Sequence, residues 1–584
     1  SIKSVVFSSV GIGAAAFAAY AALAARDPMF GDGTELVAAA ITNGIAHPPG
    51  YPLWVLLGHL ATFVPIGTLA YRVNLTACAY HAVAIALVFL SGWVLTRSRT
   101  AALVAALLLA AGSPLFASWS LQAEVFSLND LFAAAIVLVC LIWLREPQRW
   151  NLTVALAALF GLGSSNQQTI VLLAPAALWA AWCARRSAPP FAAQLRIGAT
   201  ACVVFTAGFA LPYAHTLVAS QHLKRWQLGT AKTPPDLLPL ILRRDFGTFT
   251  LVPVSAEQGG SPLARIAQVV AYGGVPWIAI SLGLFFVRRK ARVQVGFASL
   301  IVLTTLLFFP VVADIDTSSE IARGVFLRFG LLPVVALAPF AAYAFQTRAV
   351  KIVALLVTAA IAAPVLASVS LAQTHDARTF ATDIFAALPP HAILLTAGAP
   401  TEQSVTYFHT VERLRPDVTP VTYVCLFFPQ CRDELARSIN VPPAYALGQT
   451  PNEMRDALMR ANPKRPFYVA GERPIHVAGP FSAPLVDGIV SQRIPLDAKP
   501  DVRERYLRET ALQWSAGYGD VSASFWRSNG YAEDVRAAYA AGFYFGGLDA
   551  KRLGRAWESR RWFERAALYA SDPLIERELS RPSR

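Results

Sequence analysis

Apolar runs recur along the chain as far as residue 372 and then cease. They cover residues 5–25, 73–95, 101–118, 122–144, 151–164, 167–184, 197–219, 266–287, 293–312, 324–345 and 350–372. Most approach or exceed the roughly 20 residues that cross a bilayer, with 101–118 and 151–164 the least clearly bounded. The pattern predicts a polytopic α-helical membrane domain over 1–372 with about eleven transmembrane helices. Beyond residue 373, charges, prolines and turns become frequent and no spanning run remains. There, 391–398 reads as a buried strand, 402–414 has helical periodicity and 418–427 is again an apolar strand. That alternation predicts a soluble α/β domain over 373–528. From 530 to 572, Ala, Leu, Tyr and Phe recur at helical spacing, predicting a helical tail over 529–584.

One apolar run stands apart. Segment 52–66 is short, has prolines before it and ends in Pro65-Ile66-Gly67. Basic residues between the runs fall in tight groups: Arg97 and Arg99; Arg145 and Arg149; Arg185, Arg186 and Arg196; Arg288, Arg289, Lys290 and Arg292; Arg348 and Lys351. Loops of this kind are cytoplasmic under the positive-inside rule. With Lys3 also inside, all five groups fall on one side only if 52–66 does not cross. Residues 26–71 are therefore expected to form one long outer loop with juxtamembrane or re-entrant helices. An odd number of crossings then puts the tail outside, and segment 5–25 reads as a signal anchor. The expected location is a bacterial inner membrane with the carboxy-terminal domain in the periplasm.

Composition agrees. Of 584 residues, 55% are hydrophobic and 15% charged, below the roughly 25% charged of a soluble domain. The net charge of +14 lies in the cytoplasmic groups, so it does not point to nucleic acid. Cys78, Cys140, Cys183 and Cys202 lie in apolar runs, while Cys425 and Cys431 lie in the outer domain, where a disulfide is permitted. Neither C-x-x-C nor H-x-x-x-H occurs, so no metal is assigned. A divalent cation held by two carboxylates and a phosphate remains open, and no other cofactor is indicated.

The acids of the membrane half gather at the opposite ends of the runs from the basic groups. Phe30-Gly-Asp-Gly-Thr-Glu35 places Asp32 and Glu35 at the membrane edge, where carboxylates are costly. Asp32 as helix N-cap and Glu35 three residues on would make a capping box. A carboxylate there would also serve as general base toward a hydroxyl, and the two roles are compatible. His47-Pro-Pro-Gly-Tyr51 predicts a rigid kink, with Tyr51 and Trp54 as interfacial anchors and His47 as a donor to phosphate or sugar. Glu124 lies at the outer end of a run, where it would bind a sugar, orient Asp32 or simply cap a helix. Asn166 and Gln167 would bind a sugar or satisfy backbone groups. Arg72, Arg244, Arg323 and Arg328 are basic residues on the outer side. Arg328, among Phe326, Leu327 and Phe329, needs a negative partner: a lipid phosphate, or Asp314, Asp316 or Glu320.

Several blocks carry a family resemblance: Gly31-Asp-Gly-Thr-Glu-Leu36, Ala46-His-Pro-Pro-Gly-Tyr-Pro-Leu53, Tyr71-Arg-Val-Asn74, Ala123-Glu-Val-Phe-Ser-Leu128 and Arg244-Asp-Phe-Gly-Thr-Phe249, with Leu394-Leu-Thr396 and Arg415-Pro-Asp-Val418 in the tail. The chain resembles the transmembrane protein 260 family of protein O-mannosyltransferase-like proteins, within the GT-C glycosyltransferases. It departs from that family at Gln167-Gln168, where histidines are usual, and at Ala397–Thr401, where an Asp-rich turn is usual. The resemblance implies an inverting transfer of a sugar, mannose being the family's, from a polyprenyl-phosphate carrier to a protein Ser/Thr or glycan hydroxyl on the outer face of the bilayer. It maps the base to Asp32, with Glu35 second, and Glu124 stands beside them as a catalytic candidate from its position. The resemblance makes Arg328 and Arg72 candidates for the donor phosphate; the reading of the sequence adds Arg323 and His47 to them, and Tyr51, Asn166, Gln167, Arg244 and Asp245 for sugar or acceptor. The tail, where Ala556–Ala567 is similar to part of a tetratricopeptide helix pair, would position the acceptor. The rival readings are a transporter or flippase, which would need broken helices in matching halves, and a non-catalytic scaffold.

Overall fold

The computed structural model describes residues 2–221, 231–244, 259–287, 292–427, 429–448, 450–471, 482–487, 490–495 and 532–580. Contacts divide it into two units: Ser1–Pro28 with Leu36–Thr374, and Met29–Glu35 with His375–Arg584.

The first unit is helical. Helix α1 (Ile2–Leu23) is followed by α2 (Asp32–Thr42), α3 (Pro52–Ala61), α4 (Leu69–Thr96), α5 (Arg99–Gly112), α6 (Pro114–Trp119), α7 (Val125–Arg145) and α8 (Leu152–Asn166). Among the described residues, seven helices are long and apolar enough to cross a membrane: α1, α4, α7, Phe191–Ala219, Arg292–Val312, Ala322–Ala344 and Arg348–Val369. Helices α3, α5 and α8 are apolar but shorter. At ten residues, α3 rises about 15 Å, half the roughly 30 Å of a hydrocarbon core. Prolines set both its limits: Pro52 starts it, and Pro65 follows the turn that ends it.

The run expected to cross as 266–287 is not one straight span. It forms two helices, Pro262–Gly273 and Pro276–Val287, bent by 103°. Gly274 at φ 75° and Pro276 at the head of the second helix supply the break, since neither continues an α-helix. Elsewhere small residues let helices approach. A Cβ at Gly161 on α8 would lie 2.4 Å from the carbonyl oxygen of Phe205, so this crossing with Phe191–Ala219 needs glycine.

The second unit carries a five-stranded sheet in the order β2-β1-β3-β5-β4, with β1 Ile393–Ala397, β2 Thr419–Thr422, β3 Phe467–Gly471, β4 Ser482–Asp487 and β5 Val490–Pro495. β1 pairs in parallel with β2 and β3, and β5 runs antiparallel to both β3 and β4. Every residue of β1 is buried, as its uninterrupted apolar run predicts for a central strand. The predicted strand at 418–427 is shorter than its apolar run, turning into a 3-10 helix at Val424–Phe427. Cys425 and Cys431 are joined by a disulfide. Helices Ala532–Arg552 and Ala556–Ala567 pack as a hairpin, with Gly547 against the Phe563 ring.

Candidate active site

The site begins with α2. Gly31 takes φ 79°, which turns the chain into the helix, and Thr34 Oγ1 donates to Met29 O at 2.5 Å. Asp32 and Glu35 both lie in the first turn, three residues apart and so on neighbouring positions of one face. The helix N-terminus favours negative charge there. Ahead of it, Phe30 meets Phe380 edge-on at 5.9 Å, and Phe380 meets Tyr539 at 5.8 Å. Tyr539 donates to Asp383 Oδ2 at 2.6 Å. Burial pushes the Asp383 carboxyl up, and that hydrogen bond pulls it part of the way back.

The far end of α2 explains how His47 returns to this turn. Asn43 is left-handed (φ 51°), Asn43 N donates to Ala40 O and Gly44 N donates to Ala39 O. This is a Schellman ending, which reverses the chain. An eleven-residue helix is about 16 Å long, a distance that about five extended residues can retrace. Asp32, Glu35 and His47 each then offer a ligand atom, all within 4.8 Å of one another. The sequence showed no tight cluster, because the grouping depends on that reversal. Two carboxylates and an imidazole are also a donor set suited to a divalent cation.

The predicted kink is present. Gly50 (φ 91°) and Tyr51 (φ 42°) turn the chain, and Gly50 N donates to His47 O. Tyr51 Oη lies 3.2 Å from His47 Nε2, and Tyr213 Oη donates to Pro49 O at 3.1 Å. From α3, Trp54 Nε1 donates to Glu124 O at 3.1 Å, so the kink also fixes the backbone at Glu124.

Glu124 ends the loop before α7. Its Oε1 accepts from Arg328 Nη1 at 2.7 Å, and both side chains are buried. The Arg328 guanidinium carbon lies 5.4 Å from the Phe126 ring and 5.8 Å from the Trp119 ring. The sequence singled out both residues but did not join them, since 204 positions separate them. Asn166 Nδ2 donates to Val125 O at 3.0 Å, the backbone role weighed for it, while its Oδ1 has no partner among the described residues. Gln167 is buried.

Arg72 has a different task from the phosphate contact expected of it. Its Nε, Nη1 and Nη2 donate to the carbonyls of Ile66, Thr62 and Gly67, closing the turn after α3. Arg323 lies partly exposed in the helical segment Glu320–Leu327, and Arg244 is exposed. Asp245 lies outside the described residues. Sequence reasoning missed Trp54 as a support for Glu124. It also missed a buried centre in which His81 joins Ser120 (Nδ1 to Oγ, 2.7 Å) and Asp130 (Nε2 to Oδ2, 3.1 Å). The signal for the latter was an ionisable pair inside apolar runs.

Residues 32–189 match the family model described as the protein O-mannosyl-transferase TMEM260 N-terminal domain. The chain is 30% identical over 460 residues to the mouse protein O-mannosyl-transferase TMEM260, across 74% of this chain and 64% of that protein. It is 23% identical over 507 residues to the Dictyostelium discoideum protein of the same name, across 76% of this chain and 61% of that one. The chain thus spans less than two thirds of the length of either relative. Among solved structures, ArnT from Cupriavidus metallidurans bound to undecaprenyl phosphate superposes with a TM-score of 0.55 at 11% identity, covering 84% of this chain and 99% of that one. That likeness gives the fold, a polytopic helical membrane fold of GT-C type. Residues 32–189 are thus similar to the N-terminal domain of the TMEM260 protein O-mannosyl-transferase family, the family that the chain's motifs resemble.

Proposed function

We propose that this chain is an integral-membrane glycosyltransferase that moves a sugar from a polyprenyl phosphate to a hydroxyl acceptor on the non-cytoplasmic face. The observation that carries the reading is the convergence of Asp32, Glu35 and His47 on one helix start. Asp32 takes the proton of the acceptor hydroxyl as its oxygen attacks the anomeric carbon. The bond from that carbon to the phosphate oxygen breaks, and the lipid phosphate leaves with the electron pair. Attack opposite the leaving group inverts the anomeric centre. Arg328, oriented by Glu124, stabilises the charge growing on the phosphate. Glu35 and His47 hold Asp32 and the sugar hydroxyls, with Tyr51 against His47, and Asn166 and Gln167 are further candidates for the sugar or acceptor.

The names of the two relatives support mannose and a protein hydroxyl as the sugar and acceptor of this reading, and the lipid bound to ArnT supports a polyprenyl-phosphate donor. Both relatives are eukaryotic, so the bacterial inner membrane expected from the sequence finds no support in them. Among the described residues, the broken pair Pro262–Gly273 and Pro276–Val287 favours a flippase, which would move the whole lipid.

Asp32→Asn separates these readings. Membranes carrying wild type or variant are supplied with a labelled polyprenyl-phosphate mannose and protein acceptors. Transfer is expected to fall by about 100-fold or more, the worth of a positioned base. Undiminished transfer in the variant removes Asp32 from the role. Lipid movement without transfer in wild type favours the flippase.

A further inference from the structure

Asn74 is buried on α4 and belongs to none of the candidate catalytic or binding sets, and its side chain uses all its hydrogen-bonding capacity but one lone pair. Nδ2 donates to Ala25 O at 2.8 Å and to Asp27 O at 3.1 Å. Oδ1 accepts from Ala123 N at 2.9 Å. The amide orientation is fixed by its partners: flipped, it would set an oxygen against two carbonyls and an NH2 against an N–H.

These partners belong to the two chain segments that matter most. Asp27 lies five residues before Asp32, and Ala123 immediately precedes Glu124. The same helix grips both segments at other points. Toward the first, Thr68 Oγ1 donates to Arg26 O at 2.6 Å and Tyr71 Oη to Ala21 O at 2.9 Å. Toward the second, His81 bonds Ser120 two turns farther along. The segments also touch directly, through Ala25 N to Leu121 O at 3.0 Å. Asn74 differs from the other grips in holding both segments with one rigid planar group. Satisfying a stray backbone group would take one bond to one segment.

We propose that Asn74 is a positioning residue, fixing the chain that enters the acidic turn of Asp32 against the chain that presents Glu124. It touches no reacting atom. It sets the separation of the two carboxylate-bearing segments, and with it the placement of the base relative to the Glu124–Arg328 pair. The proposal rests on the transferase reading for the name of the reaction, but the clamp itself has an independent readout.

Asn74→Asp keeps the acceptor for Ala123 N and replaces the donor to Ala25 and Asp27 with an oxygen that repels them. Asn74→Ala removes both and covers the case in which a buried Asp prevents folding. The full chain in detergent or nanodiscs is followed by hydrogen exchange of peptides covering 24–28 and 120–124, by thermal unfolding and by transfer kinetics. Exchange is expected to quicken in 24–28 for Asn74→Asp and in both peptides for Asn74→Ala. In folded variant, kcat is expected to fall by about tenfold or more with donor KM little changed, as misplacement of a reacting group predicts. Unchanged exchange in both peptides overturns the clamp. A lower melting temperature with wild-type kcat per folded molecule reduces Asn74 to a structural residue and overturns the positioning role. Wild type that transfers no sugar to any acceptor sinks the transferase reading, and the exchange result still decides the clamp.

Discussion

Two arginine–carboxylate pairs, one in each unit, show how the same chemistry serves different ends. Arg328 and Glu124 are 204 positions apart, buried, and joined at 2.7 Å between aromatic rings. Arg415 and Asp417 are two positions apart, partly exposed, and joined in bidentate fashion at 2.9 and 2.8 Å. The local pair serves the backbone: Arg415 also donates to the carbonyls of Phe385, Leu388 and Pro389, and Asp417 accepts from His391 N. It ties the turn before β1 to the start of β2. The buried pair ties together distant helices at a desolvation cost that a pair of apolar side chains would avoid. A costly, non-local pair at the end of apolar helices calls for a reason beyond stability, and the phosphate binding proposed above supplies one.

Breaking the buried pair gives the sharpest contrast. Arg328→Met leaves the Glu124 carboxylate in a poorly solvated place and is expected to cost about 3–5 kcal/mol of stability together with transfer. Adding Glu124→Gln to Arg328→Met removes the stranded charge and should restore most of the stability, while transfer stays lost. Thermal unfolding and transfer assays on the single and double variants decide this. A double variant that regains both stability and transfer would reduce the pair to a structural link and erase the contrast.

How much of this was legible in the sequence differs between the two pairs for the same reason. Arg415-Pro-Asp417 lies in one short block, and β1 announces itself as an unbroken apolar run. Each residue's side of the Glu124–Arg328 pair was also visible, as an ionisable group beside apolar positions. Their partnership was not, because it is made by packing helices far apart in the chain. Asp32 and Glu35 were legible as a helix start. The approach of His47 was not, since it depends on the left-handed Asn43 and a reversed chain. Hydropathy marked 266–287 as one span because it averages over Gly273-Gly274-Val275-Pro276, where the backbone bends. Arg72 shows the opposite failure. Its position suggested phosphate, and its Nε, Nη1 and Nη2 each donate to a carbonyl that no sequence pattern reveals.

The surface pair predicts a smaller effect of another kind. Arg415→Ala leaves carbonyls of the 385–389 turn without their donor and is expected to cost roughly 1–3 kcal/mol. Transfer per folded molecule should be untouched, which thermal unfolding combined with kinetics would establish. A loss of kcat in fully folded Arg415→Ala would give the two pairs a common function and break the comparison.

The smallest expected effect is the pH dependence of that pair. Hydrogen bonds from Arg415, opposed by partial burial and aided by His391 N, hold the Asp417 carboxyl well below the usual carboxylate range. A carboxyl depressed in the folded state adds stability above its unfolded value of about 3.9 and loses it as the pH falls through the folded value. Wild type should therefore exceed Asp417→Asn by a constant margin, under about 1 kcal/mol for a solvent-screened pair, from neutral pH down to about pH 5. The margin should shrink below about pH 4, where the unfolded chain still takes up a proton that the folded one resists. Unfolding of both proteins across this range measures it. A margin that widens on acidification would mean that the protonated carboxyl is the form the fold prefers, contrary to the bidentate geometry at Arg415.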